Sequence, residues 1–63
     1  MSKSLTETVV SIVKLALKKG YMQHDIAAYF GINQGRISEI NTGKRGTGIL
    51  PAPSLPDDFP GSA

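Results

Sequence analysis

The 63-residue chain has no cysteine and no tryptophan, and it has a single histidine. Without thiols it can form neither a disulfide nor a thiolate metal site, and one histidine among scattered acids does not make a zinc site. We therefore expect no metal and no cofactor. The sequence also lacks the roughly 20 consecutive apolar residues of a membrane span and the apolar core of a secretory signal. These absences predict a cytoplasmic protein that does not enter a membrane.

Features of enzymes are scarce as well. The chain has five carboxylates, no nucleophile with a base at motif spacing, and no glycine-rich phosphate loop after a strand. We therefore expect no catalytic activity. A chain of this length forms one small domain at most, and such domains bury so little surface that they are only marginally stable.

Charge is unevenly distributed along the chain. Residues 1–46 hold all seven lysines and arginines against three carboxylates, a net of +4, whereas residues 47–63 carry only Asp57 and Asp58, a net of −2. A basic folded part with a mildly acidic tail suits a polyanionic partner such as DNA. The alternative is that +4 is ordinary surface charge.

The first helix is predicted over residues 5–19. Ser4 and Glu7 have the spacing of a capping box, in which each side chain bonds the backbone amide of the other residue. Apolar residues then recur at helical spacing, and Gly20 can end the helix in the left-handed conformation. Val10 and Leu15 widen the apolar surface beyond what one packing face needs. We expect a homodimer contact through helix 1 to cover this surplus; the alternatives are cover by the tail or simple exposure.

Two short helices follow, with very little sequence between them. The second is predicted over residues 23–30, and its start is weak because Met22 stands where a capping hydroxyl is expected. Gly31 breaks this helix, and Asn33 caps a third one that continues to about Asn41, before Thr42 and Gly43 close it. This spacing is typical of a helix-turn-helix unit, whose second helix enters the DNA major groove.

Residues 23–42 resemble the helix-turn-helix of phage-repressor-type transcriptional regulators. The family pattern has a small residue where the helices cross, a glycine in the turn and a branched apolar residue between the helices; here these are Ala27, Gly31 and Ile37. The match covers about a third of the chain. The resemblance implies sequence-specific binding of double-stranded DNA by a small bacterial or phage regulator, most simply a repressor.

The outward side of helix 3 carries the residues that we expect to read DNA bases. None of them is a large apolar residue, which a helix packed on both faces would show. An arginine can bond both acceptors of guanine, and glutamine suits adenine. Glu39 has two interpretations, acceptance from cytosine or an internal pair with Arg36, and we favour the pair. The predicted base-reading residues are Gln34, Gly35, Arg36, Ser38 and Glu39.

A second group of polar residues flanks this surface and suits phosphate contacts. Helix amino termini bind anions through free amides and the helix dipole, and basic side chains after a helix can reach the DNA backbone. The basic pair Lys44 and Arg45 can also be an ordinary C-terminal cap. The predicted phosphate-contacting residues are Gln23, Asn33, Thr42, Lys44 and Arg45.

From Gly46 onward the composition changes, since all four prolines lie in this part of the chain. Prolines at this spacing exclude regular elements and favour extended backbone. We expect residues 47–63 to form a flexible, proline-rich tail. Alternatively, apolar residues within residues 49–60 anchor the tail in a groove on another protein or on this domain.

The predicted fold is all-α: a three-helix helix-turn-helix domain over residues 1–46, followed by an irregular proline-rich C-terminal arm over residues 47–63. Two other functions remain open, an antitoxin-like or adaptor protein whose arm binds a partner protein, and a three-helix module that binds only proteins. The predicted core consists of Val9, Val13, Ala16, Leu17, Ile26, Ala27, Phe30, Ile32, Ile37 and Ile40.

Overall fold

The computed structural model describes residues 6–59 and shows an all-α domain of three helices. Helix α1 spans Glu7–Lys18, α2 spans Gln23–Phe30 and α3 spans Gln34–Asn41. Helix α3 packs against both α1 and α2. The predicted fold class and the extents of the second and third helices are confirmed. Within the described part of the chain, no helix has the length and apolar character needed to cross a bilayer.

The start of α1 differs from the prediction. Thr6, in extended conformation, is the cap, and its hydroxyl accepts a hydrogen bond from the Val9 amide at 3.2 Å. Ser4 and Leu5 lie outside the described residues. The helix begins at Glu7 because the extended Thr6 supplies the capping oxygen for its first turn.

Among residues 6–59, nine apolar residues are buried in the core, and they come from all three helices and from the C-terminal arm. Ten were expected, and seven of these are buried. The other three, Val9, Leu17 and Ile32, lie at the edge of the core and are only partly buried, so their assignment to the buried core is corrected. The buried residues are Val10, Val13, Ala16, Ile26, Ala27, Phe30, Ile37, Ile40 and Phe59.

The arm from Gly46 to Phe59 has no regular secondary structure and lies along the helices. The Lys14 ammonium donates hydrogen bonds to the carbonyls of Gly46 and Ile49, and the Ala52 amide donates to the Ser11 carbonyl at 2.9 Å. These contacts hold the arm against α1. Residues 60–63, the end of the predicted tail, lie outside the described residues.

The far end of the arm inserts an aromatic ring beside α2. Phe59 is 6% exposed, and its ring lies 5.1 Å from that of Tyr21 and 4.7 Å from that of Tyr29, measured between centroids. The Tyr29 hydroxyl donates to Asp58 at 2.7 Å. This hydrogen bond, together with partial burial, raises the pKa of Tyr29. Of the apolar residues in this arm, Phe59 is buried in this domain, Ile49 and Leu55 are partly buried against its core, and Leu50 is exposed.

The arm also covers part of the apolar surplus on α1. Val10 is 2% exposed, and its side chain lies directly against the backbone of Gly46. Leu15 remains half-buried. Since the arm covers Val10, only Leu15 still supports the argument for a second copy at α1, and the homodimer contact stays a prediction.

Gly46 allows a test of this contact between the arm and α1. Its φ is +70°, and a Cβ added there would lie 2.6 Å from the Val10 Cγ1 atom. Gly46→Ala therefore adds a steric clash to left-handed strain, and we expect it to lower the free energy of unfolding by about 2–4 kcal/mol. Urea denaturation followed by circular dichroism measures the change.

Two other glycines separate the contributions of strain and clash. Gly43 has φ +84° with nothing near the added Cβ, and the Cβ of Gly48 would also meet open space. We expect Gly43→Ala to cost about 1 kcal/mol from strain alone and Gly48→Ala to cost almost nothing. If Gly46→Ala costs no more than Gly43→Ala, the arm is not packed on Val10 in solution.

Candidate nucleic-acid interface

The turn between α2 and α3 sets the direction of α3. Gly31 ends α2 with φ +67° and ψ +35°, a left-handed conformation that glycine adopts without steric cost. Ile32 and Asn33 complete the turn, and the Asn33 side chain accepts from the Gly35 amide at 2.7 Å. Ile37, which is fully buried, then fixes the inner side of α3. The predicted cap and the predicted plug between the helices are confirmed.

The five predicted base-reading residues lie together along α3. Gln34, Gly35 and Arg36 are exposed at its amino end, and Ser38 and Glu39 are half-buried. None of the five has a large apolar side chain. The structure therefore brings these residues together on a polar surface whose most exposed part is the first turn of α3.

The absence of a side chain at position 35 has a local structural reason that the sequence did not reveal. A Cβ on Gly35 would lie 3.1 Å from the Asn33 Oδ1 atom and would meet no atom of α2. Close packing against α2 therefore does not account for the glycine at this position. The missing side chain instead leaves room for the Asn33 cap.

Arg36 has a carboxylate nearby, as the internal pairing predicted. Its Nη1 atom lies 3.6 Å from the Glu39 Oε1 atom, and its side chain is 52% exposed. A cation in the first turn of a helix opposes the helix dipole, and this carboxylate offsets part of that cost. Because the pair is exposed and too long for a hydrogen bond, it leaves the Arg36 guanidinium able to contact another group.

Arg45 makes a closer contact with the same carboxylate. Its Nε atom donates to Glu39 Oε1 at 2.8 Å. This hydrogen bond lowers the pKa of Glu39, and the charges of Arg45, Arg36 and Lys44 contribute in the same direction. This contact is not evident from the sequence because the two residues are six positions apart and lie on different sides of the end of α3.

The five predicted phosphate-contacting residues lie in three places: at the start of α2, in the turn before α3 and after the end of α3. Gln23 is the first residue of α2 and Asn33 is the cap of α3, while Thr42, Lys44 and Arg45 follow α3. At the start of α2 the Asp25 and Ile26 amides donate to the Met22 carbonyl, which leaves the amides of Gln23 and His24 as possible donors to an anion. Lys44 is exposed, and its amide donates to the Glu39 carbonyl at 2.9 Å.

Thr42 fits the phosphate role least well. Its hydroxyl donates to the Ser38 carbonyl at 3.0 Å, and its amide also bonds carbonyls at the end of α3. A phosphate oxygen needs a donor, and the donors of Thr42 already close the helix.

One open hollow of about 290 Å³ lies between α1 and the end of α3, lined by Lys14, Leu17, Lys18, Ile40 and Asn41. This hollow cannot be recognised in the sequence because only folding brings α1 and the end of α3 together. Since Lys14 bonds the arm, Lys18 and Asn41 supply the polar groups that remain there.

No protein-family model, curated protein or solved structure matches this chain.

Proposed function

We propose that the chain binds double-stranded DNA sequence-specifically, with α3 in the major groove, as a small transcriptional regulator of the phage-repressor helix-turn-helix type. The observation that supports this most is the outer side of α3. Its exposed first turn presents Gln34 and Arg36, while Ile37 is buried on the opposite side and the Gly31 turn sets the direction of the helix. A helix packed on one side, with polar donors exposed at its amino end, is the arrangement that reads base edges.

In this proposal the bases are read by the first turn and the phosphates are held on both sides of it. Arg36 donates hydrogen bonds to a guanine, Gln34 contacts an adjacent base, and Ser38 lies farther along the groove. Gln23 and Asn33 hold one stretch of backbone, and Lys44 with Arg45 holds the other. The protein acts as a symmetric pair on two half-sites, and the contact through α1 is part of the proposal.

Selection of bound duplexes from a random pool at moderate salt tests this function. We expect a short consensus that enriches strongly, and a palindromic consensus if two copies bind together. If nothing enriches and the protein leaves DNA mobility unaltered even at low salt, DNA binding is excluded. A helical module that binds only proteins then becomes the better explanation.

The adaptor or antitoxin-like function is the second candidate, and one observation favours it. Leu50 is 82% exposed in the middle of the arm, where nothing in the described residues covers it. A partner that takes residues 49–60 would use this side chain. However, Phe59 is already buried in this domain, so such a partner would have to displace it or bind only the outer side of the arm. Protection of residues 49–60 from proteolysis by a partner protein would favour this function.

Lys44→Ala tests the phosphate role that we propose for the segment after α3. We expect weaker binding to all duplexes alike, and a slope of log affinity against log salt that is shallower by about 0.9 per bound protomer. Filter binding or fluorescence anisotropy at several salt concentrations gives both values. Lys19→Ala removes the same charge outside the proposed contacts and should leave the slope almost unchanged. A Lys44→Ala slope equal to that of Lys19→Ala would remove Lys44 from the interface.

A further inference from the structure

Glu39 contacts two arginines with the same carboxylate oxygen, but in different ways. The distance from Arg45 Nε is 2.8 Å, which is a charge-assisted hydrogen bond. The distance from Arg36 Nη1 is 3.6 Å, which is too long for a hydrogen bond and leaves only the attraction between the charges. Glu39 therefore directs the orientation of the Arg45 guanidinium much more than that of Arg36.

Within residues 6–59, Glu39 is the hydrogen-bond acceptor of the Arg45 side chain. Arg45 lies beyond the end of α3, after the left-handed Gly43 and in a stretch without regular secondary structure. Its side chain is 44% exposed. A guanidinium has five N–H donors, and a carboxylate at Nε leaves the two Nη groups available. The outer edge formed by those groups matches two oxygens of a phosphate.

We infer that Glu39 is a positioning residue that orients Arg45 as a two-pronged phosphate clamp at the carboxyl end of α3, and that it reads no base. The inference rests on the proposed function. Glu39 is then no longer one of the base-reading residues. It supports the contact between Arg45 and the DNA backbone. A carboxylate next to DNA phosphates would otherwise weaken binding, and its hydrogen bond to Arg45 explains how it contributes there.

A double-mutant cycle separates this role from the simple effect of charge. The variants are Glu39→Gln, Arg45→Ala and the two combined, measured on the duplex selected by the unaltered protein and on a scrambled duplex of equal length. Removing the negative charge strengthens DNA binding in either background. When Arg45 is present, this gain in affinity is partly offset because the Arg45 guanidinium is no longer held in position. In the Arg45→Ala background no such offset exists. We expect the effects of Glu39→Gln in the two backgrounds to differ by about 1.5- to 5-fold, the range for exposed ion pairs.

Control variants test whether the coupling is specific to Glu39 and Arg45. Glu7→Gln makes the same substitution at the exposed start of α1 and should show no such coupling with Arg45→Ala. Because Glu39 and Arg45 are both partly exposed, the variants should fold, and a urea denaturation curve for each confirms this. Coupling on both the selected and the scrambled duplex supports a backbone contact.

Three results would overturn the inference. The first is an identical effect of Glu39→Gln with and without Arg45, which would reduce Glu39 to its charge. The second is a changed base preference in duplexes selected by Glu39→Gln, which would make Glu39 a base reader. The third is failure of the unaltered protein to bind any duplex at low salt. That result removes the proposed function itself, whereas the first two leave it intact.

Discussion

Phe59→Ala is expected to lower the free energy of unfolding by about 3–5 kcal/mol, the usual cost of removing a buried phenyl ring. The ring is 6% exposed and packs edge-on against Tyr21. It also lies against Tyr29 and, with centroids 6.4 Å apart, near Phe30. Aromatic pairs at such distances contribute beyond the area that they bury. In a domain of this size the loss is a large part of the total stability, so partial unfolding at room temperature is expected.

Thermal and urea denaturation followed by far-ultraviolet circular dichroism measure this effect. Leu50→Ala is the matched control, since it truncates another large apolar residue of the same arm that is 82% exposed. We expect that control to change stability by no more than about 0.5 kcal/mol. Equal stability of the two variants would show that the arm is a flexible tail in solution, as the composition alone predicts.

The result also decides where the domain ends. If Phe59 stabilises the helices as expected, the folding unit extends from α1 to Phe59, and the arm is part of the DNA-binding domain that we propose. Hydrogen exchange provides an independent check, because the Ala52 amide donates to the Ser11 carbonyl and should then be protected. Rapid exchange of that amide would favour a mobile arm.

Arg36→Ala is expected to remove most of the discrimination between the selected duplex and a scrambled one. A side chain that bonds both acceptors of a guanine contributes about 1–3 kcal/mol of discrimination, so the affinity ratio should fall by roughly 5- to 150-fold for each protomer bound. We expect the helicity of α3 to be unchanged. Alanine has the higher helix propensity, and the change removes a cation from the first turn of α3.

Affinities for both duplexes at one salt concentration give the ratio, and circular dichroism reports the helicity. Arg45→Ala is the control, because it removes the same charge from the proposed backbone contact and should weaken both duplexes alike. If Arg36→Ala binds its best site with undiminished selectivity, Arg36 is not the base reader. The reading role would then pass to Gln34 and Ser38.

Most of the geometry of α2, the turn after it and α3 was predictable because its signals are local. The end of α2 at Gly31, the cap at Asn33 and the buried Ile37 each depend on residues within one or two turns of helix. Local rules were less decisive at the start of α1. Ser4 and Thr6 both offer a capping hydroxyl, and in the described residues Thr6 is the cap.

The candidate interface was predictable as a set of residues but not as a set of contacts. The sequence placed Gln34, Arg36 and Glu39 on one helix and the basic pair after it, because helical periodicity alone assigns residues to a face. The contact between Arg45 and Glu39 depends on the path of the chain after Gly43. This path is irregular, so helical periodicity in the sequence does not predict it.

The sequence by itself determined three helices, their order, the sharp turn before α3 and the polar character of its outer side. Only the tertiary structure decided what covers α1. Val10 is buried by a segment that begins 36 positions later at Gly46, and Phe59 enters the core among aromatic residues of the second helix and the segment before it. The physical reason is that apolar periodicity shows that a face must be covered, whereas the identity of the cover depends on long-range packing.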